Sequence, residues 1–516
     1  MAMDEKFFRY SALDSACMME IYEKFWPTVG QGYQATYDMT MSLMPVLAFM
    51  QTKGIAVDHT KLEETRKEVL QRAAEKEAEL HELCGFPLNV NSGKQVAEYF
   101  YITLGLPPIL KPKTKAITTD DLAMQRLVRG TAKNPGRPEA KLVQEIRGLK
   151  KLYSTYLSIE FDADNRMRGA YNPRGTMYGR LSSSKTIFGT GMNMQNLPPD
   201  FKKFLVADPG YVLIEFDKRQ AEWVVVAYAS DDSNMIRAIE QGLDVHAYTA
   251  TLMYHIPMDV VAHETDLVGH STNADQIKEY RTTDPLLRQH YHESWPRSMA
   301  LRQAGKKSNH GLNYDEGPNT FALTNEIEIS EAKTIIAKYH EAYPAIRKWH
   351  EHVQRQLKAS RTLENCFGRR VKFMGEWGTD LWKSSYSMIP QSTVVDSLNS
   401  GMVKVYNDPL LAREYNIDIL AQVHDSILVQ VPIEVMQDET KYDELMRRVN
   451  DYTSPTLTYN GNDFRIATDA KIGFNWGGKN KIHNVEGMRD CKSYDDVRAL
   501  LQLRGMAHGT GTEQLA

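Results

Sequence analysis

Cysteine is scarce, with four residues in a chain of 516. Cys17, Cys84, Cys366 and Cys491 lie far apart without a CxxC pairing. That excludes a disulfide frame and a zinc site, and reads as reduced thiols in a cytosol-like compartment. No run approaches the roughly 20 apolar residues of a membrane span, and the opening MAMDEKFFRY lacks the pattern of a secretory leader. The expected location is cytoplasmic, with no membrane partner. A basic excess is also missing: 62 Lys and Arg against 66 Asp and Glu leave a net charge of −4. This argues weakly against a nucleic-acid binder without excluding one, since acidic outer faces can balance a basic groove. Internal repeats and low-complexity domains are absent. What remains is the composition of an ordinary soluble globular protein, 42% hydrophobic and 25% charged. The chain is too long for one compact core and predicts several domains or subdomains.

The first 160 residues read as mostly helical. Residues 60–83 place Leu62, Val69, Ala73, Leu80 and Leu83 among alternating charges, the pattern of an amphipathic helix. Ser92 with Gln95 three residues later predicts a capping box. The loop that follows carries Lys111, Lys113 and Lys115. Strand signals begin later: GYVLIEFD (210–217) is a short apolar strand ending on Asp217, and KRQAEWVVVAYASDD reads as a helix. Residues 255–296 read as polar and irregular, with histidines at 255, 263, 270, 290 and 292 whose spacing fits no metal site. A helix is expected to resume at Arg297. The tail after Trp476 is polar, and its end GMAHGTGTEQLA reads as disordered.

QVHDSILVQV (422–431) holds an aspartate between two β-branched runs, Ile417–Val423 and Ile427–Val431. A hairpin tip at His424-Asp425-Ser426 has two readings. Asp is a good turn former, and it is also a hard oxygen ligand. If the Asp217 strand lies beside this hairpin, two carboxylates meet at a sheet rim, the donor set that Mg²⁺ takes together with waters and substrate phosphates. A phosphate-binding element would favour the second reading. RQAGKKSNHGLNYD (302–315) supplies a candidate, because Arg302, Lys306, His310 and Tyr314 recur every four residues and share one helical face. Two cations could grip a triphosphate and two rings could stack on base or sugar. A solvated helix face is the plainer reading of that stripe taken alone. GTMYGRLSSSKTIFGTGMNMQNLP (175–198) offers Arg180, Asn193, Gln195 and Asn196, which suit turns as well as a duplex backbone and minor-groove acceptors.

Order and spacing resemble the family A DNA polymerases, the DNA polymerase I type. DKRQAE (217–222) resembles motif A, the 302–314 segment motif B, and VHDS (423–426) motif C. TMYGRLSSS…NMQNLP, IPQST (389–393) and DAKIGFNWG (469–477) resemble further segments, so the likeness spans roughly residues 40–477. The resemblance implies an α+β right-hand fold with an antiparallel palm sheet and mostly helical thumb and fingers. Its expected parts are 1–25, the closing helix of an exonuclease; 26–165, palm edge and thumb; 166–232, palm; 233–388, fingers with an insertion near 255–296; 389–477, palm; and 478–516, an extension. The implied activity is template-directed DNA synthesis, with primer-template DNA and dNTPs as partners. Two Mg²⁺ ions, with Mn²⁺ able to substitute, would be held by Asp217, Asp425 and the Lys218 backbone carbonyl. Arg302, Lys306, His310, Tyr314, His246, Gln220 and Glu222 would bind the nucleotide, with Lys306 acting in catalysis and Glu222 as the steric gate against a ribose 2′-OH. Arg180, Asn193, Gln195, Asn196, Gln391, His424, Lys151 and Thr155 would contact DNA.

The sequence also departs from that pattern. Motif C usually ends in a second acid, and here stands Ser426. His310 replaces a Phe or Tyr, Lys383 falls near a position often held by Arg, and the stretch from His246 to Arg302 is longer than usual. Ahead of the thumb only YSALDSACMMEIY remains of an exonuclease, with Tyr10 and Asp14 resembling its last motif. The expectation is no proofreading by this chain, and either a leftover docking helix or half of a site completed by a separate 3′→5′ exonuclease subunit. A helicase, primase or processivity factor is a further expected partner. These features together point to a bacteriophage replicative or repair enzyme acting in the host cytoplasm. A single-subunit RNA polymerase and an inactive DNA-binding scaffold are the rivals; Glu222 argues against the first, and the joint presence of Asp217, Asp425, Arg302 and Lys306 against the second.

Overall fold

The computed structural model describes residues 5–505 apart from 112–113, 131–133, 270, 272, 326 and 481. Lys113, His270 and the tail 506–516 therefore lie outside the described residues. The chain divides into two compact units, one of Met1–Met50, Tyr171–Ser182 and Glu215–Lys471, the other of Gln51–Ala170, Ser183–Ile214 and Ile472–Ala516.

The first unit opens with helix α1 (Glu5–Lys53), which passes through the boundary expected at residue 25 and departs from helical geometry at Tyr33. Tyr10 and Asp14 are exposed on it. Strand β1 (Tyr211–Lys218) is followed by helix α2 (Ala221–Ser230), whose Ala221, Trp223, Val224, Val225 and Val226 are buried. Helix α3 (Val245–Tyr254) begins at Asp244, whose side chain accepts from the His246 and Ala247 amides at 3.0 and 3.1 Å.

Residues 255–296 are not irregular. They form α4 (Met258–Val268), α5 (Ala274–Thr283) and α6 (Pro285–His290), and Asn273 and Asp284 cap the last two. Val260, Val261, Leu287 and Trp295 join the main apolar core of this unit, and Ile277 packs with Val268 and Ala300, all beneath a polar surface. Helix α7 (Leu301–Gly311) starts four residues later than Arg297. Arg297 instead donates its amide to Glu331, 2.9 Å away. Helix α8 (Thr379–Asn407) is almost wholly buried from Ile389 to Asn399.

The hairpin is β2 (Asp418–Val423) and β3 (Ser426–Pro432), antiparallel, with Val423 facing Ser426 across the turn. The tip is thus two residues, His424 and Asp425, and His424 takes a left-handed φ of 51°, which costs an L side chain some strain. With β4 (Thr468–Gly473) the strand order is β4-β1-β3-β2. Every residue of β2 and β3 is buried, although β2 is the edge strand of the sheet.

In the second unit, the His59–Cys84 helix is capped by Asp58 and buries Leu62, Val69, Ala73 and Leu80, while Leu83 turns to solvent. Its core includes Leu80, Val96, Phe100, Val143 and Ile146. Half of the expected capping box forms: Ser92 accepts from the Gln95 amide, but the Gln95 side chain accepts from Asn89 instead. Beyond residue 478 stand the Gly487–Asp490 strand and the Tyr494–Gln502 helix, which buries Tyr494, Val497, Leu500 and Leu501 behind a Ser493–Asp496 capping box.

Candidate active site

The β1 end and the β2–β3 tip meet through the backbone, since the Lys218 amide donates to the Asp425 carbonyl at 3.1 Å. This brings Asp217 and Asp425 to one rim. Asp217 is exposed on the strand, and its carboxyl is pushed up to about 6 by desolvation, then by the charges of Glu215 and Asp425. Asp425 is also raised, by burial first and by Glu222 next. Its Oδ1 is buried and has no hydrogen-bond partner, an arrangement that a cation would satisfy.

Among the described residues no three His, Cys, Asp or Glu side chains already form a cage for an ion. Mg²⁺ uses one or two carboxylates, with waters and phosphates completing its octahedron. Two facing aspartates and an orphaned carboxylate oxygen therefore fit that ion. Glu215 is a third acid that the sequence reading overlooked. It shares a strand face with Asp217, and the Ser426 hydroxyl donates to its Oε1 at 3.4 Å. Its i, i+2 spacing from Asp217 was the available signal.

Lys218 points the other way. Its buried side chain donates to Ser397 Oγ at 3.0 Å and to the Thr453 carbonyl, and burial brings the amine down to about 7.

A cleft of about 300 Å³ that reaches Asp425 is lined by Lys218, Gln220, Glu222, Trp223, His246, His310 and Tyr314, among others. Gln220 stands at the start of α2 with a left-handed φ of 51°, a strained conformation of the kind that collects at functional sites. Glu222 is held from two sides, by Arg180 on Oε1 and by the Tyr314 hydroxyl on Oε2. Tyr314 is not on the α-helix: α7 stops at Gly311, and Leu312–Tyr314 is a 3₁₀ turn. The four-residue repeat therefore holds for Arg302, Lys306 and His310, and tightening of the last turn redirects the fourth side chain to Glu222.

Helices α3 and α7 lie against each other at backbone distance. A Cβ on Gly305 would fall 2.2 Å from the His246 carbonyl, so only glycine fits there. Asn309 on α7 donates through Nδ2 to His246 Nδ1 at 3.1 Å and to Thr249 Oγ1 at 3.0 Å. Because Nδ1 accepts, a neutral His246 carries its proton on Nε2. Desolvation lowers this imidazole to about 4, with Arg302, His310 and Lys306 pushing the same way. Arg302 pairs with Asp244, Nε to Oδ2 2.6 Å, while Lys306 and His310 are exposed. Asp244 was also missed in the sequence; its signal was an acid two residues before His246.

Arg180 and His424 share this unit with the aspartates, and Gln391 is half-buried on α8. Lys151, Thr155, Asn193, Gln195 and Asn196 belong to the second unit. There Asn193 accepts from the Gln195 amide at 2.9 Å, and Lys151 ends the Pro138–Lys151 helix.

Residues 59–266 and 288–478 match the model of DNA polymerase family A. The thermostable DNA polymerase I of Thermus aquaticus is 28% identical over 413 residues, 76% of this chain and 43% of that protein. DNA polymerase I of Rhizobium leguminosarum is 25% identical over 490 residues, 90% of this chain and 43% of its own. The chain thus spans less than half the length of both. A solved structure described as the POL domain of Pol1 from M. smegmatis, in complex with DNA primer-template and dNTP, superposes with a TM-score of 0.67 at 23% identity, covering 85% of this chain and 70% of that one. That likeness shows the α+β right-hand polymerase fold. The chain belongs to DNA polymerase family A.

Proposed function

We propose that this chain is a template-directed DNA polymerase that extends a primer 3′-hydroxyl with dNTPs and releases pyrophosphate. The observation that carries the reading is the meeting of Asp217 and Asp425, with a cleft that reaches Asp425 and that Glu222, His246, His310 and Tyr314 line. Asp217, Asp425 and the Lys218 carbonyl would hold the divalent ions, Mg²⁺ or in its place Mn²⁺. When bound, such ions lower the pKa of the attacking hydroxyl and neutralise charge on the phosphates. Arg302 and Lys306 bind the triphosphate, the first in fork geometry and the second as a point charge. The Nε2 proton of His246 is available to a phosphate oxygen. Glu222, immobilised by Arg180 and Tyr314, blocks the space beside the sugar C2′ and so selects deoxynucleotides. Gln391, His424, Lys151, Thr155, Asn193, Gln195 and Asn196 bind primer-template DNA, with Arg180 joining them once it leaves Glu222. Most of the rate comes from positioning and charge neutralisation, as in other phosphoryl transfers.

A separate 3′→5′ exonuclease subunit, a helicase, a primase or a processivity factor is proposed as a further partner. A bacteriophage setting in replication or repair, in the host cytoplasm, is proposed on the departures from the family pattern, Ser426 in motif C among them. The test is extension of a labelled primer with Mg²⁺, comparing dNTPs with rNTPs and wild type with Asp425→Asn. Extension with dNTPs only, lost in the variant, is the expected result. No extension by the wild type overturns the reading.

A further inference from the structure

The first amides of an α-helix have no partner within it. At α7 the N-cap is Ala300, whose side chain cannot accept a hydrogen bond. The missing acceptor comes from another helix: Glu264 of α4 takes the Leu301 amide on Oε2 at 2.9 Å. Its other oxygen binds Arg281 of α5, Nε to Oε1 3.0 Å. Arg281 also donates to the Met299 carbonyl at 3.0 Å and to the Pro296 carbonyl, and lies 5.4 Å from the Trp295 ring centre. Glu264 is fully buried and Arg281 is 2% exposed. The pair therefore joins α4, α5 and the 295–299 strand of chain to the first residue of α7, immediately before Arg302. Residues 267–287, which include Arg281, lie outside the family match.

We propose that Glu264 is a positioning residue for Arg302, and that the Glu264–Arg281 pair makes the segment 267–287, outside the family match, a brace that sets where Arg302 meets the triphosphate of an incoming nucleotide. This rests on the reading of α7 as the triphosphate-binding helix. The carboxylate acts twice. It satisfies the Leu301 amide, and it places negative charge at a helix N-terminus, where the helix dipole favours it. Arg281 keeps that charge from being buried alone and ties down the approach to the helix. A shift of Arg302 would weaken the grip on the terminal phosphates while leaving the primer-template contacts untouched.

The test uses the full chain with Mg²⁺, a dideoxy-terminated primer on its template, and the next correct dNTP, so that binding is read without turnover. Glu264→Gln is expected to raise the dNTP Kd about tenfold, the scale on which small misplacements act, with primer-template Kd unchanged. In an Arg302→Ala background the same substitution is expected to change nothing further, the coupling that a shared effect requires. Removing one partner of a buried pair destabilises the fold, so the double replacement Glu264→Leu with Arg281→Met is measured beside it. That variant is expected to recover the thermal midpoint but to show the raised dNTP Kd, because leucine offers the Leu301 amide no acceptor. The brace is overturned if the double variant binds dNTP like the wild type, if the effects of Glu264→Gln and Arg302→Ala simply add, or if primer-template affinity falls equally. A wild type that binds no dNTP overturns the polymerase reading itself, whereas normal wild-type binding with indifferent variants overturns only the brace.

Discussion

The Tyr314 hydroxyl donates to one oxygen of Glu222 while Arg180 takes the other. The acid at the second position of α2 is therefore held in place by residues 42 and 92 positions away in the chain. If Glu222 is the proposed steric gate, Glu222→Ala is expected to raise ribonucleotide incorporation about 10–200-fold relative to dNTP, the discrimination that a small steric difference supplies. Single-nucleotide kcat/KM for dNTP and rNTP on one template measures it. Tyr314→Phe, which frees one oxygen of the carboxylate, is expected to give a smaller change in the same direction.

Arg302 is not idle before substrate arrives, because it pairs with Asp244. Both side chains are 37% exposed, so the pair is a solvent-screened one. Such a pair contributes at most about 1 kcal/mol, roughly a factor of five. Asp244→Asn keeps an N-cap acceptor for α3 and removes the competing charge. The dNTP KM is expected to fall by up to about fivefold, with kcat little altered. A rise in KM would show that Asp244 orients Arg302 more than it competes for it.

Asp217 ties the site to pH. Its carboxyl lies near 6 in the fold against an ordinary 3.8. A raised acid favours the folded state in its protonated form, so that contribution is complete below about 4 and is lost as pH rises through about 6. Without metal, the thermal midpoint from this group is expected to fall slightly over that window, since solvent screens an exposed side chain. Added Mg²⁺ must displace the proton, so its stabilising shift is expected to be larger at pH 7.5 than at pH 5.5. Glu215→Gln removes a charge that raises Asp217 and is expected to move this transition to lower pH. Melting curves across that range, with and without Mg²⁺, measure both effects.

Gly305→Ala places a methyl where the His246 carbonyl already stands. Overpacking of this kind costs about 1–3 kcal/mol, and here it also separates the two helices proposed to bind the nucleotide. The expected result is a lower thermal midpoint together with a raised dNTP KM and an unchanged primer-template Kd. A lower midpoint with normal dNTP KM would mean that the spacing of α3 and α7 is structural only.

The readable parts of this protein were those encoded by neighbours in sequence. The apolar run ending on Asp217 and the paired β-branched runs around Asp425 predict β1, β2 and β3, and these form as expected. Residues 255–296 were misread because their charges and histidines mask a buried stripe of Val260, Val261, Ile277 and Leu287. Asn273 and Asp284 were visible cap signals for two of those helices. The end of α7 at Gly311 was not legible from periodicity, which continues smoothly to Tyr314 while the backbone does not. Glu215 with Ser426, Asp244 with Arg302, and Glu264 with Leu301 are pairings across chain separations of 211, 58 and 37 residues, which no local pattern encodes.

The contact of Gly305 with the His246 backbone has a mechanical consequence. Two helices that touch main chain to main chain, and are cross-linked by Asn309 to Thr249 and His246, have no layer of side chains in which to slide. Any swing of either helix must then carry Arg302, Lys306 and His246 as one lever, with its fulcrum outside this pair of helices.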